Sequence, residues 1–315
     1  MKKFKSLFSC TIALIMLLVF SVGCSVQEKS NVKNPETTKE ATTIVDPSGK
    51  EITIPEKVDK IISLAPSITE VLVELGFGDK IALVDANSKD LSGLPEGVEY
   101  VDMMTPDVEK IIALQPDIVL ASTITSTGGT DPAQQLKSAG ITLAYIPTSN
   151  SIEGIYSDIM FIAKVLREKE KGQKLVDRTK EKIAKIEEIG KTIKDKKTVY
   201  FEIAAAPGIY SFGQGVFLNE MIEIIGAKNV LAKEEGWISV SEEAVVAADP
   251  DVILTNVNYI PEPVDEIKSR ASWKNIKAVK NNDVYYIDNM SSSLPNHNIV
   301  KALEQMAKVV YPDKY

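Results

Sequence analysis

The chain has 315 residues, a formal net charge of −8 and a single histidine, His297. This acidic composition disfavours nucleic acid as a partner, because a surface that binds phosphate must be basic. One histidine also excludes histidine-rich metal sites and most histidine-assisted nucleophilic triads. Cys10 and Cys24 are the only cysteines, so the chain beyond residue 24 can form no internal disulfide.

The first 23 residues are typical of a signal peptide. Lysines at positions 2, 3 and 5 precede an apolar run at 7–20, which is too short to span a membrane as a mature helix. Small residues precede Cys24, which predicts cleavage before this cysteine and a lipid on its thiol. Loss of the three lysines would change the net charge to −11. We therefore expect an exported protein, anchored through Cys24 to the outer face of the cell membrane.

Residues 24–42 predict a flexible tether between this anchor and the folded body. They are mainly Ser, Asn, Glu, Lys and Thr, a composition that cannot bury a core. The alternative is an ordinary signal peptide followed by an incidental cysteine. The tether favours the anchor, because a soluble secreted protein would have less use for it.

From residue 43 onward, short β-branched runs alternate with helical patterns, which predicts α/β lobes with parallel sheets. An N-terminal lobe at 43–150 is predicted to contain strands at 60–64, 80–84, 117–121 and 141–146, and helices at 67–75, 109–114 and 131–138. A C-terminal lobe at 198–315 repeats the alternation, with elements at 198–203, 215–225, 243–248, 251–255 and 284–287 and a closing helix at 297–309.

The segment 151–197 lies between these lobes and shows no strand pattern. Ile152, Ile155, Ile159 and Ile162 begin a run of apolar residues at helical spacing. The spacing predicts one long helix that bridges the lobes, with a kink near Gly172.

An internal repeat supports two similar lobes. Residues 109–120 read EKIIALQPDIVL and residues 243–254 read EAVVAADPDVIL, with Glu, Ala, Pro, Asp and Leu in register. Each copy predicts a helix, a Pro-Asp turn and a buried strand. A weaker similarity links 74–81 and 223–230, where a glycine ends a helix in each half. Two similar lobes on one bridging helix would enclose a cleft.

The chain resembles the iron-complex and vitamin B12 group of ABC-importer binding proteins over nearly all of 43–313. The motifs that carry the resemblance are IISLAPSITE at 61–70, the segments 106–120 and 237–254, and MAKVVYPD at 306–313. The resemblance implies two Rossmann-like lobes joined by a single backbone helix, and delivery of a captured ligand to a permease dimer and its ATPase.

The resemblance also implies that one exposed glutamate on each lobe binds arginines of the permease, and the motif register assigns these roles to Glu109 and Glu243. Each follows a predicted N-cap, Thr105 with Pro106 in the first copy and Ser239 or Ser241 in the second. The alternative is that both acids only complement a helix dipole, which contributes about 0.3 to 1 kcal/mol. Identical placement in two repeats favours docking.

Ligand contacts in such folds come from loops at the carboxyl ends of strands. These loops contain many aromatic and methionine side chains and few charges, which favours a large, flat or partly apolar ligand over a sugar or a free ion. The arginines of the body, Arg167, Arg178 and Arg270, lie outside the loops, so arginine-based siderophore recognition is unsupported. The candidate ligand residues are Ser67, Asn87, Met103, Met104, Tyr210, Phe212, Trp237, Tyr259 and His297.

Two macrocycles remain open. The position of Met104 resembles that of an iron-ligating methionine in the haem-binding branch, but the second axial histidine of that branch has no match at 256–260. Tyr259 or His297 could replace it. Trp237 resembles an aromatic that packs on the corrin ring in the B12-binding branch, although Met103 replaces a second aromatic there. Met104 and Trp237 could instead fill the core, and His297 could only cap the last helix.

We therefore predict a binding protein for an iron complex, a ferric siderophore or haem, with cobalamin as the alternative. We expect no intrinsic cofactor, but a ligand that carries iron or cobalt. A lipid-anchored enzyme is less favoured, because the sequence lacks a nucleophile elbow, a phosphate loop and a Cys or His cluster. A receptor for a bare cation would need several histidines.

Overall fold

A computed structural model describes residues 42–47, 49–126, 131 and 133–315. The predicted signal peptide, Cys24 and residues 25–41 of the tether lie outside these residues. Thr42, assigned to the tether, instead begins a β-hairpin that the sequence analysis missed. Its strands are β1 (Thr42–Val45) and β2 (Glu51–Ile54), and their inward side chains are buried in the hydrophobic core.

The N-terminal lobe contains a five-stranded parallel sheet in the order β5-β4-β3-β6-β7. Its strands are short, apolar and covered on both faces, as parallel strands require, except for the edge strand at 99–101, where Glu99 and Tyr100 are exposed. The strands are β3 (Ile61–Leu64), β4 (Ile81–Asp85), β5 (Glu99–Val101), β6 (Ile118–Ser122) and β7 (Leu143–Ile146), and the helices are α1 (Pro66–Glu74), α2 (Val108–Ala113) and α3 (Gln134–Ser138).

The segment 151–197 forms two helices, so the prediction of one continuous helix was wrong. α4 (Ile152–Val165) and α5 (Lys169–Thr192) are separated by a turn in which Arg167 has a φ of 60°. They run antiparallel, since the Lys180 ammonium lies 3.5 Å from the Glu153 carboxylate and 4.7 Å from the Tyr156 ring centroid. The apolar periodicity continues through the short turn, which is why it does not reveal the break.

The C-terminal lobe contains a four-stranded parallel sheet in the order β10-β8-β12-β13. Its strands are β8 (Thr198–Glu202), β10 (Lys228–Asn229), β12 (Val252–Thr255) and β13 (Val284–Tyr286), and β9 (Tyr210–Phe212) pairs antiparallel with β11 (Trp237–Ser239). The helices are α6 (Phe217–Ile224), α7 (Glu242–Ala248), α8 (Pro263–Ser269), α9 (Lys277–Lys280), α10 (Asn289–Ser293) and α11 (Ile299–Val310).

Two glycines bring α5 into close contact with its neighbours in the two lobes. A Cβ on Gly172 would lie 2.3 Å from the Ala163 Cβ in α4, and a Cβ on Gly190 would lie 2.1 Å from the Ile224 carbonyl oxygen at the end of α6. A larger residue at either position would force the packed backbones apart. The first half of α5 is therefore seated on the N-terminal lobe and the second half on the C-terminal lobe.

The structure confirms the internal repeat. Its two copies form α2 with β6 and α7 with β12. The residues before the two prolines, Gln115 and Asp249, both adopt left-handed backbone conformations, with φ of 49° and 42°. The same turn therefore ends the helix in each lobe.

The repeated aspartates fasten each unit to the central strand of its sheet. Asp117 Oδ2 accepts hydrogen bonds from the backbone N–H groups of Asp59 and Lys60 at 2.7 and 2.8 Å, just before β3. Asp251 Oδ2 accepts from the backbone N–H and the hydroxyl of Thr198 at 2.9 and 2.8 Å, at the start of β8. The repeated sequence is thus explained by a repeated role in folding.

We predict that Asp117→Ala and Asp251→Ala each lower the free energy of unfolding by about 2 kcal/mol, because charged acceptors would be removed from two hydrogen bonds. Urea unfolding followed by circular dichroism measures the change. Asp195→Ala is the matched control, since Asp195 is exposed. Equal stability of all three variants would contradict this role.

Candidate functional site

Loops that follow the carboxyl ends of the strands in the two lobes meet between the lobes. Asn296, in the loop that enters α11, donates from Nδ2 to the Ser67 carbonyl oxygen at 3.4 Å and to Glu70 Oε2 at 2.5 Å. Ser67 lies in the first turn of α1, directly after β3. This contact joins carboxyl-end loops of both sheets, where ligands bind in open α/β folds.

Asp85 organises the N-terminal side of the cleft. It ends β4 and is fully buried, and its carboxylate accepts the backbone N–H groups of Asn87 at 2.9 Å and Met103 at 3.2 Å. Asn87 is exposed and Met103 is half-buried. The loops after β4 and β5 are thereby held together, with Met104, which is 48% exposed, at their outer end.

The C-terminal side of the cleft presents aromatic rings. Trp237 pairs with Phe212 across the antiparallel β9–β11 ladder and packs edge-to-face on the rings of Phe212 and Phe217, at centroid distances of 5.8 and 6.5 Å. Phe212 is fully buried, so its assignment as a ligand residue was wrong. The Phe212 ring packs against the indole of Trp237 and does not face a ligand. A sequence pattern cannot distinguish an aromatic residue in this supporting role from one that contacts the ligand.

Tyr210 and Tyr259 flank the loop after β8. The Tyr259 hydroxyl accepts the backbone N–H of Ala205 at 2.8 Å, and Ala204 forms an isolated antiparallel bridge with Tyr210. Tyr210 is 46% exposed, Tyr259 64% and Trp237 44%. The rings of Tyr259 and Trp237 are thus anchored at one edge, and all three aromatic residues leave apolar surface open to a ligand.

His297 lies at the junction of the lobes and not among the ligand loops. Its Nε2 is 3.8 Å from Glu74 Oε2 of α1, and Glu74 also pairs with Arg178 of α5. The surrounding pocket, of about 290 Å³, is lined by none of the other predicted ligand residues; its walls are Glu74, Leu175, Arg178, Thr179, Lys182, His297, Asn298, Val300, Lys301 and Glu304. The assignment of His297 to the ligand site was therefore wrong.

Burial keeps the His297 imidazole neutral. Desolvation lowers its pKa from 6.5 to about 4, against an opposing effect of the Glu74 carboxylate. Among the described residues, its buried Nδ1 has no hydrogen-bond partner. Protonation would therefore place a charge where one ring nitrogen finds no acceptor.

The arginines of the body are engaged away from the ligand loops. Arg270 is buried and forms a two-point ion pair with Glu202, the last residue of β8, at 2.7 and 2.8 Å, while it also binds Glu266. Arg167 donates to backbone carbonyls at residues 54 and 55, and Arg178 binds Glu74 as described above. None of the three arginines is free to clamp an anionic ligand.

Glu109 and Glu243 occupy the same position in their helices, the second residue of α2 and of α7, and both are exposed. Ser241 caps α7 as predicted, through its hydroxyl and the Ala244 N–H at 3.2 Å. The predicted cap at Thr105 was wrong. Asp107 caps α2, because its carboxylate reaches the Lys110 N–H at 3.0 Å.

Two further features limit what the described residues can do. They contain no group of three or more His, Cys, Asp or Glu side chains placed to hold a metal ion. No helix within the described ranges has the length and apolar character needed to cross a membrane.

Two parallel-sheet lobes, one connecting helix and ligand loops at a shared cleft define a two-lobed solute-binding protein. The comparison with family models agrees: residues 61–290 match the model described as periplasmic binding protein, and the chain belongs to this family.

Individual relatives extend this result. The chain is 34% identical to the uncharacterised ABC transporter substrate-binding lipoprotein YvrC of Bacillus subtilis, over 96% of each chain. It is 27% identical to a vitamin B12-binding protein of Vibrio campbellii, over 79% of this chain and 88% of the other. A possible iron-binding (periplasmic solute-binding) protein of Staphylococcus epidermidis has a similar crystal structure, with a TM-score of 0.73, 29% identity and coverage of 81% and 100%. The chain is thus a substrate-binding component of an ABC transporter.

The low pKa of His297 predicts a loss of stability in acid. The fold favours the neutral ring, so this stability is present above the unfolded pKa near 6.5 and is lost as the pH falls toward about 4, by about 3 kcal/mol in total. His297→Gln should show a smaller loss between pH 7 and pH 4.5 in urea unfolding. Parallel pH profiles for the two proteins would contradict the assignment.

Proposed function

We propose that the protein captures an iron complex, a ferric siderophore or haem, outside the cell and delivers it to an ABC permease and its ATPase. The observation that carries the proposal is the cluster of three exposed rings, Tyr210, Trp237 and Tyr259, beside the C-terminal ligand loops. Flat or partly apolar chelates gain contact area on such rings. Engagement of Arg270, Arg167 and Arg178 elsewhere makes a neutral or macrocyclic complex a better match than an anionic one.

Met104 is the candidate iron ligand if the complex is haem. It is exposed at the entrance to α2, so its thioether can be reached from solvent. Ser67, Asn87 and Met103 would complete the N-terminal side of the ligand site. The protein itself needs no cofactor in this proposal, because the metal arrives with the ligand.

Cobalamin is the alternative ligand. Trp237 favours it, since an indole that rests on Phe212 and Phe217 offers a rigid surface for a corrin ring. The similarity to a vitamin B12-binding protein adds support. We do not favour a lipid-anchored enzyme, because the family is described as periplasmic binding proteins and the site residues named among the described ranges include no nucleophile paired with a base.

Glu109 and Glu243 are the proposed contacts to the permease. Their matching positions on α2 and α7 place one carboxylate on each lobe, which suits a partner with two-fold symmetry. Hydrogen bonds from its own backbone N–H and from Ser241 lower the pKa of Glu243, so its carboxylate remains charged. Cys24 would hold the protein near this partner through its lipid.

We predict that a bound ligand quenches Trp237 fluorescence. Titration with haemin, ferric citrate and cyanocobalamin tests the three ligand classes, and an absorption spectrum of protein purified from its native host identifies the resident one. Trp237→Phe should remove the quenching and weaken binding about tenfold, because a large stacking surface is lost. Trp273→Phe is the control, since Trp273 is fully buried in the C-terminal lobe. Absence of binding to all three probes would overturn the proposal.

A second prediction concerns delivery. Replacement of both Glu109 and Glu243 by Ala should leave ligand affinity unchanged and lower uptake by cells more than tenfold, because two charged contacts to the permease are lost. Glu96→Ala with Glu234→Ala is the matched control, one exposed glutamate from each lobe. Normal uptake by the first variant would reject the docking role.

A further inference from the structure

The first helix of the N-terminal lobe holds the C-terminal lobe through Glu70. The Glu70 carboxylate accepts the Asn296 side-chain N–H at 2.5 Å. Asn296 is 1% exposed, and its own side-chain oxygen accepts the backbone N–H of Asn298 at 2.8 Å. The donor is therefore held in place from both sides, at the entrance to α11.

The first helix of the C-terminal lobe holds the N-terminal lobe in the same way. Glu220 of α6 accepts the backbone N–H of Ile152 at 3.3 Å. Ile152 is the first residue of α4 and is buried, and its N–H has no acceptor within the helix because it lies in the first turn. Partial burial raises the pKa of Glu220, which agrees with a carboxylate at the contact between the lobes.

The two glutamates occupy the same position relative to the glycine that follows each helix. Glu70 is the sixth residue before Gly76, and Glu220 is the sixth residue before Gly226, the two glycines with φ of 85° and 82° that follow α1 and α6. Their partners are also equivalent, since α4 follows the last strand of the N-terminal sheet and α11 closes the chain after the last strand of the C-terminal sheet. Each lobe thus offers a carboxylate to the segment that enters the closing helix of the other.

We propose that Glu70 and Glu220 are positioning residues, a matched pair of latches that set the separation of the two lobes and hence of the two halves of the ligand site. The Glu70 latch acts closest to the site, because Asn296 also binds the carbonyl of Ser67. The link to ligand binding rests on the proposed function, whereas the latch itself is a property of the free protein.

The contacts of Glu70 and Glu220 add to the connection that α5 makes between the lobes. A helix seated on both lobes resists bending, but it contacts them along one side only and leaves rotation about its axis open. Two contacts on opposite lobes, related by pseudo-symmetry, oppose this rotation. Each is a hydrogen bond to a carboxylate in a partly buried place, where such bonds contribute most.

A distance measurement on the free protein tests the latches. The described body contains no cysteine, so spin labels can be placed in the full chain at Lys89→Cys and Lys233→Cys, one exposed site on each lobe. A chain without these two substitutions serves as the labelling blank. We expect one narrow distance in the parent protein and a broader, shifted distribution in Glu70→Ala with Glu220→Ala.

Two controls separate latching from general loss of structure. Glu223→Ala removes a neighbouring carboxylate of α6 that accepts a hydrogen bond from Asn219 of its own lobe, so it should keep the narrow distance. Glu70→Gln, made in the parent protein, retains an acceptor oxygen for the Asn296 side chain. This variant should also show the narrow distance. An unchanged distribution in the double alanine variant, with circular dichroism of a folded protein, would overturn the proposal.

Ligand affinity provides the functional readout. Haemin titration should show about a tenfold weaker affinity in the double alanine variant than in Glu223→Ala, because the half-sites must be brought into place on binding. Failure of haemin to bind the parent protein would count against haem as the ligand and would leave the distance result to decide on the latches. Equal haemin affinities with a broadened distance would overturn the link between lobe separation and ligand binding.

Discussion

The contact of α5 with both lobes is the constraint on which the cleft depends. Gly172 lets the first half of the helix approach α4, and Gly190 lets the second half approach the end of α6. With the helix seated at both places, the two sheets are joined by a rigid element and not by loose strands. Loops that follow the carboxyl ends of the two sheets then meet, as the contact of Asn296 with Ser67 and Glu70 shows.

The two sides of the cleft are built differently. The N-terminal side is organised by the buried Asp85, which holds two loops by their backbone N–H groups. The C-terminal side is organised by apolar packing, because Phe212 and Phe217 support Trp237. The two sides are therefore held by different means, a buried carboxylate on one and packed aromatic rings on the other.

Much of the architecture follows from local patterns. The repeated helix, Pro-Asp turn and strand were visible because the same side chains perform the same structural role twice, with Asp117 and Asp251 bound to the central strands. The exposed positions of Glu109 and Glu243 follow from that register. Helical periodicity wrongly predicted a continuous helix through 166–168. A turn of three residues reverses the chain direction there but barely disturbs the apolar spacing.

Other assignments depended on what surrounds a side chain. Phe212 and Trp237 are aromatic residues of one antiparallel strand pair, yet Phe212 is fully buried against Phe201 of β8 whereas Trp237 is 44% exposed. His297 lies in a loop at the correct end of its lobe but turns toward α1 and α5. The latches at Glu70 and Glu220 join segments more than 60 residues apart in sequence, so no local pattern announces them.

The sequence by itself determined the two-lobed α/β class, the duplicated unit, the acidic character and the aromatic content of the ligand loops, because these follow from periodicity and composition. The tertiary structure alone decided which rings face the cleft, where the single histidine lies and how the lobes are held. The physical reason is that burial and hydrogen-bond partnership arise only when distant segments pack together.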